Sequence, residues 1–239
     1  MKRLFLGYRW IVVGMLALGL LAFMPYRSGE APLADVPLEV TITGKISHTT
    51  YLKVQSGKVS FNRFPATVEE FMQVREKIGS EPHGAVALQI MAYELYRRDR
   101  SVGAECIELN NIKTNVSSAT RRLNELFGND AGYARPYQMA AFLKGATHLN
   151  GYKPSKPYTI EVKVSRVHTY QYSEIYQAQV LYLEVLTKGK DRGYETVEVV
   201  KTYKPDEPSE GKHFIVFNSP GLYSQVRAVS FTTPFQGLE

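Results

Sequence analysis

Residues 84–98 read GAVALQIMAYELYRR, and the fold turns on this stretch. A helix lying on a protein surface carries one apolar stripe. This one is apolar on most of its sides, which predicts a central, largely buried helix. The segments around it have the patterns of helices on one side and of strands on the other.

Just upstream, Thr67-Val68-Glu69-Glu70 has the spacing of a capping box, in which Thr67 and Glu70 satisfy each other's backbone donors. Val68, Phe71, Val74 and Ile78 then mark one helical face, and Gly79 fits the stop. Downstream, residues 101–109 and 117–127 read as two further helices, the second ending at Gly128. Residues 137–144 read as a fifth, opened by Pro136 and closed by Gly145.

After Gly151 the period changes to two. Tyr158, Ile160, Val162 and Val164 alternate with Thr159, Glu161, Lys163 and Ser165. Residues 179–186 (QVLYLEVL) are a more apolar and more central strand, followed by a turn at 188–193 and a strand at 194–203. A polar loop with Pro205, Pro208 and Gly211 leads to strands at 213–217 and 223–230. Ahead of the helices, Leu38, Val40 and Ile42 alternate with Glu39, Thr41 and Thr43, and residues 51–54 offer a hairpin partner. The expectation is an α+β domain at residues 64–235, about five helices packed on a mainly antiparallel sheet. Residues 28–63 are expected to be a linker with a short hairpin.

The outermost segment gives an address. Residues 1–9 are basic, and residues 10–24 (WIVVGMLALGLLAFM) are an unbroken apolar run. With Tyr8 and Tyr26 at its flanks, it approaches the roughly 17 to 25 residues that a tilted membrane helix needs. Aromatic and basic flanks suit the interface, and positive-inside logic leaves the N-terminus in the cytoplasm. Residues 8–26 are thus expected to contact the membrane as a single-pass transmembrane helix within an anchor at 1–27, with the domain extracytoplasmic. A cleaved signal peptide, giving a secreted protein, is the alternative; its nearest small-x-small site, Gly29-Glu30-Ala31, would leave Pro32 after the cut.

Charge follows the same division. The formal net charge is +6, yet Lys2, Arg3, Arg9 and Arg27 stand in the first 27 residues with no acid among them. The rest of the chain is close to balanced, so the basicity is topological. A nucleic-acid binder concentrates its cations on the folded part, and no nucleic-acid partner is expected. Cys106 is the sole cysteine, which excludes an internal disulfide and a lipid anchor built on a cysteine just after the apolar run. It reads as a buried small hydrophobe.

Several motifs carry a family resemblance. Phe64-Pro65-Ala66-Thr67-Val68-Glu69-Glu70, then Pro82-His83-Gly84-Ala85, Gly145-Ala146-Thr147, Asn150-Gly151-Tyr152 and Pro157-Tyr158 resemble, in that order, an uncharacterised bacterial domain family of envelope and secreted proteins. The likeness covers roughly residues 64–230. It implies one contiguous domain and a bacterial origin, and it transfers no catalytic residue.

For chemistry, the sequence offers little. His48, His83, His148, His168 and His213 form no H-x-H or H-E-x-x-H pattern, so no metal and no other cofactor is expected. No G-x-S-x-G elbow exists, and no catalytic residue is named. His83, between Pro82 and Gly84, suits a local structural role. The loop 145–151 reads either as a helix cap and turn or as a ligand-approach loop carrying His148 and Asn150. Tyr170, Tyr172 and Tyr176 lie in a polar stretch (HTYQYSEIYQ) that reads as protruding, and exposed tyrosines suit recognition. The leading expectation is a membrane-anchored envelope protein binding a protein, peptide or glycan partner. The second is an envelope hydrolase whose site is assembled between helical layer and sheet.

Overall fold

The structure is a computed structural model that describes residues 36–47, 55–111, 113–130, 132–165, 170–173, 178–201, 212–230 and 232–238. The expected anchor at 1–27 lies outside the described residues. Among those described, no helix is long and apolar enough to cross a membrane.

The central helix is where the sequence puts it. Among the described residues four helices form: α1 (Val68–Ile78), α2 (Pro82–Arg98), α3 (Arg100–Asn110) and α4 (Lys113–Leu126). Seven strands join them: β1 (Val40–Gly44), β2 (Ser56–Phe61), β3 (Tyr158–Val164), β4 (Tyr170–Ser173), β5 (Ala178–Leu186), β6 (Tyr194–Lys201) and β7 (Phe214–Asn218). Every pairing between these strands is antiparallel, in the order β1-β2-β3-β5-β6-β7. β4 joins the flank of β5 that β3 occupies further along: Tyr170–Ser173 pair with 178–181, Val162–Val164 with 183–185. The sheet curls as a half-barrel against the four helices.

Helix α2 fills the hollow. Every residue from Pro82 to Tyr96 is buried, and α2 touches α1, α3, α4 and five strands. From the strands, Val59, Phe61, Ile160, Val162, Leu183, Val185, Val197 and Val216 point into the same core. Burying one such side chain stabilises by roughly 1.5–3 kcal/mol, so α2 is held by its surroundings more than by propensity.

Its ends are tightly built. Pro82 takes the first helical position, where a missing N–H costs nothing. Asp99 both ends α2 and caps α3, accepting from the backbone N–H of Ser101 and Val102 at 2.9 and 3.1 Å. So short a link forces close contact: a Cβ on Gly103 would stand 2.1 Å from Tyr96 backbone atoms.

Other expectations are corrected. Glu70 accepts from the N–H of Ala66, not Thr67, and forms a two-pronged ion pair with Arg63, while Thr67 caps Glu70 as expected. Residues 137–144 are not a fifth helix but turns with one 3-10 turn at Ala140–Phe142. Their backbone groups are claimed by the sheet: Thr187 donates to the Ala141 carbonyl, and Lys144 N–H donates to Thr159. Residues 223–230 make no strand, because side chains and isolated loop carbonyls meet their backbone in place of a neighbouring strand. The Gln138 amide donates to the Leu222 and Ser224 carbonyls and accepts from Val226 N–H. The partner of β1 is β2, and Phe61 also lies opposite Tyr158 of β3, which brings the hairpin into the sheet. Residues 51–54 lie outside the described residues.

Candidate functional site

The chain leaves the helices through a crossing, residues 137–152, that lies on the end of the sheet. The Gly145–Tyr152 turn is a self-consistent unit. Thr147 and Asn150 cap each other across a 3-10 turn. The Asn150 carboxamide donates to the carbonyls of Gly145 and Lys153 and accepts from the N–H of Thr147 and Lys153, all at 2.8–3.1 Å. That is the full capacity of an amide side chain in its two donors and both acceptor lone pairs. Asn150 therefore organises the turn.

Gly151 and Tyr152 both take left-handed backbone angles, φ +65° and +56°. At Gly151 a side chain would also press to 2.8 Å on the carbonyl oxygens of Thr233 and Pro234, so only glycine fits. Tyr152 is buried, stacks on Tyr137 at 4.9 Å and donates its hydroxyl to the Arg227 carbonyl. The His148 carbonyl accepts from Ser230 N–H, and its ring nitrogen Nδ1 is buried without a partner.

Beside Gly145 opens a cavity of about 290 Å³. Phe142, Leu143 and Leu186 give it apolar walls, and Lys144, Glu161 and Lys188 bring charge to it. Glu161 stands on β3, with Lys58 of β2 opposite it in register. Its carboxylate is 2.8 Å from Lys58 Nζ and 3.5 Å from Lys144 Nζ. The hydrogen bond from Lys58 and the charges of both lysines hold its carboxyl below the ordinary carboxylate range. Thr187 also lines the cavity, but its hydroxyl is committed to Ala141 and to Gly189 N–H. His148 is not in the lining.

Of the tyrosine stretch, residues 170–173 form β4, which pairs antiparallel with β5. Tyr170 lies opposite Leu181 and Tyr172 opposite Gln179, two residues apart on one strand and so on one face of it. Tyr176 falls in the connection, outside the described residues, as do His48 and His168.

The remaining histidines are apart from one another. His83 is fully buried against Gly57 of β2, neither ring nitrogen reaches a hydrogen-bond partner, and burial lowers its pKa to about 4. His213, nearly buried, stands 3.6 Å from Glu76, and burial again lowers its pKa. Burial pushes the Cys106 thiol up to about 12, which keeps it protonated. Among the described residues, no group of three histidine, cysteine or acidic side chains is placed to hold a metal.

Of the five residues expected to bind, the structure brings His148 and Asn150 into one turn and Tyr170 and Tyr172 into one strand. Sequence reading missed Lys144, Glu161 and Lys188. They lie on three separate segments, brought together by the bond from the Lys144 N–H to the Thr159 carbonyl and by the β3–β5 pairing. Lys188 did stand out, but as part of a turn.

A family model described as "Domain of unknown function (DUF6935)" matches residues 63–230, and the chain belongs to that family. No curated protein and no solved structure matches it.

Proposed function

We propose that this DUF6935 chain is a binding protein of the bacterial envelope, held at the membrane by residues 8–26 with its domain extracytoplasmic. The observation that carries the reading is the β4–β5 hairpin. It holds Tyr170 and Tyr172 two residues apart on a four-residue strand that, among the described residues, pairs with β5 alone, and Tyr176 follows in its connection. Tyrosine offers large contact area at low entropic cost, and a short strand paired to β5 of the sheet is a sound place to present it. The partner class is a protein, a peptide or a cell-wall glycan.

The experiment compares the full-length chain with a Tyr170→Ser, Tyr172→Ser, Tyr176→Ser variant, each isolated from cross-linked envelopes. Thermal melting followed by circular dichroism checks that the variant stays folded. The expected result is loss of the cross-linked partner from the folded variant. An unchanged cross-linking pattern refutes the surface. Carbonate washing of membranes tests the address: full-length protein should stay in the pellet, and a shortened soluble form would show cleavage instead.

A further inference from the structure

We propose that the cavity beside Gly145 is a binding site for a small organic anion, a carboxylate or phosphate borne on a compact apolar body. It stands apart from the hairpin, which pairs with residues 178–181 of β5, whereas the cavity lies at the other end of that strand, at Leu186.

The charge balance at the mouth carries the proposal. One carboxylate, Glu161, serves two ammonium groups, so one positive charge is in surplus. Lys58 holds the closer place, at 2.8 Å against 3.5 Å for Lys144. Lys144 is therefore the cation with charge to offer, and its side chain is 55% exposed. Lys188 also lines the cavity, is exposed, and has no acidic partner among the described residues. Two cations thus flank one opening with a single, already shared, counter-charge.

The walls narrow the ligand. Phe142 and Leu143 are buried and apolar, and Leu186 is half-buried, so an ion pair formed over them is screened less than one in open water. A volume of about 290 Å³ sits at the bottom of the usual range for small-molecule sites, roughly 300–1,000 Å³. A single ring or short chain fits; an oligosaccharide does not. Lysine is a point charge with rotatable donors and does not demand the fork geometry of a guanidinium, so carboxylate and phosphate share the required chemistry.

Glu161 then acts as a built-in competitor. Neutralising it should free Lys144 and raise affinity. Removing Lys58, which does not line the cavity, should draw Lys144 onto Glu161 and lower affinity. A merely damaged fold would not produce these opposite signs.

The test uses the full-length protein in detergent micelles, titrated calorimetrically with benzoate, with phenyl phosphate and with uncharged benzyl alcohol. Saturable binding of at least one anion is expected, weakened by salt, with none for the alcohol. The tighter-binding anion identifies which group the site favours. Lys188→Met should weaken binding about tenfold, the loss of one charge-assisted contact. Lys58→Met should weaken it by about threefold and Glu161→Gln should strengthen it by a similar factor. Absence of saturable binding by both anions overturns the proposal. So do shifts in the same direction from Lys58→Met and Glu161→Gln.

Discussion

His83 makes the domain's stability fall with acid in a way that can be calculated. Its ring is fully buried on α2, and burial lowers its pKa from 6.5 to about 4, outweighing the Thr43 backbone, which opposes the shift. In the unfolded chain it titrates near 6.5. Between these values the unfolded state holds more protons, so stability falls as pH drops. The full stabilisation is present above pH 6.5 and is lost as pH falls towards 4. At ~1.36 kcal/mol per pH unit the whole effect is about 3 kcal/mol, of which about 2 kcal/mol is gone by pH 5. His213 and the carboxyls of Glu70 and Glu161 also have lowered pKa values, so they add to the acid sensitivity of the native protein. A difference isolates His83. The full-length chain and a His83→Leu variant, which keeps bulk against Gly57 without a titrating ring, are unfolded in urea at pH 7.5 and pH 5. Near-UV circular dichroism of the buried tyrosines follows the transition. The native chain should lose about 2 kcal/mol more than the variant between the two pH values. Equal losses, within about 0.5 kcal/mol, would refute the reasoning, because a ring that titrates alike in both states contributes no slope.

Two substitutions on the same helical pair should act through packing and charge. Gly103→Ala should destabilise by about 3 kcal/mol, the upper end for overpacking, because the clash is with Tyr96 backbone that cannot rotate away; exposed Glu108→Ala on the same helix should stay within about 0.5 kcal/mol in urea unfolding. Glu94 is fully buried and bonded by both Arg97 and Arg98. Glu94→Gln should cost about 2–3 kcal/mol, slightly below the usual penalty for breaking a buried pair, since both arginines keep about a fifth of their side-chain exposure. A loss under about 0.5 kcal/mol would refute the role of that carboxylate.

Local rules read well where local forces decide. The Thr67 cap, the Gly79 stop and the apolar run of α2 are each visible within a few residues, and each occurs. The alternation in β3 is likewise matched by the burial of every second residue from Ile160 to Val164. The failures are places where a distant group took over the backbone. Residues 137–144 have the punctuation of a helix, but Thr187 and Thr159 engage the Ala141 carbonyl and the Lys144 N–H from the sheet. Residues 223–230 have the pattern of a strand, but Gln138, Gly189, Tyr137 and His148 supply partners for four of their N–H groups and for the Ser224 carbonyl. Of the site, the turn around Asn150 was legible as turn chemistry. The cavity was not, since Glu161 meets Lys58 through the β2–β3 pairing and Lys144 through a turn bonded to Thr159, contacts between segments far apart in sequence.

The molecule's polar groups fall into two sets that answer substitution differently. His83, Gln89 and Glu94 sit on α2 at 0% exposure, and Asn110, also fully buried, donates to Gln89 and to the Ala85 carbonyl. Such groups hold one arrangement of the core, and removing a partner leaves an unsatisfied atom that no water can reach. Lys58 and Lys144, about half exposed, regain solvent when their partners go, so substituting them should leave the fold almost untouched. The same separation explains why the sequence looked empty of chemistry. Its most conspicuous polar residues, His83 at a helix start and the lone thiol, are buried and held neutral by their surroundings. The groups free to meet a ligand are ordinary surface lysines whose meaning comes from the carboxylate they share.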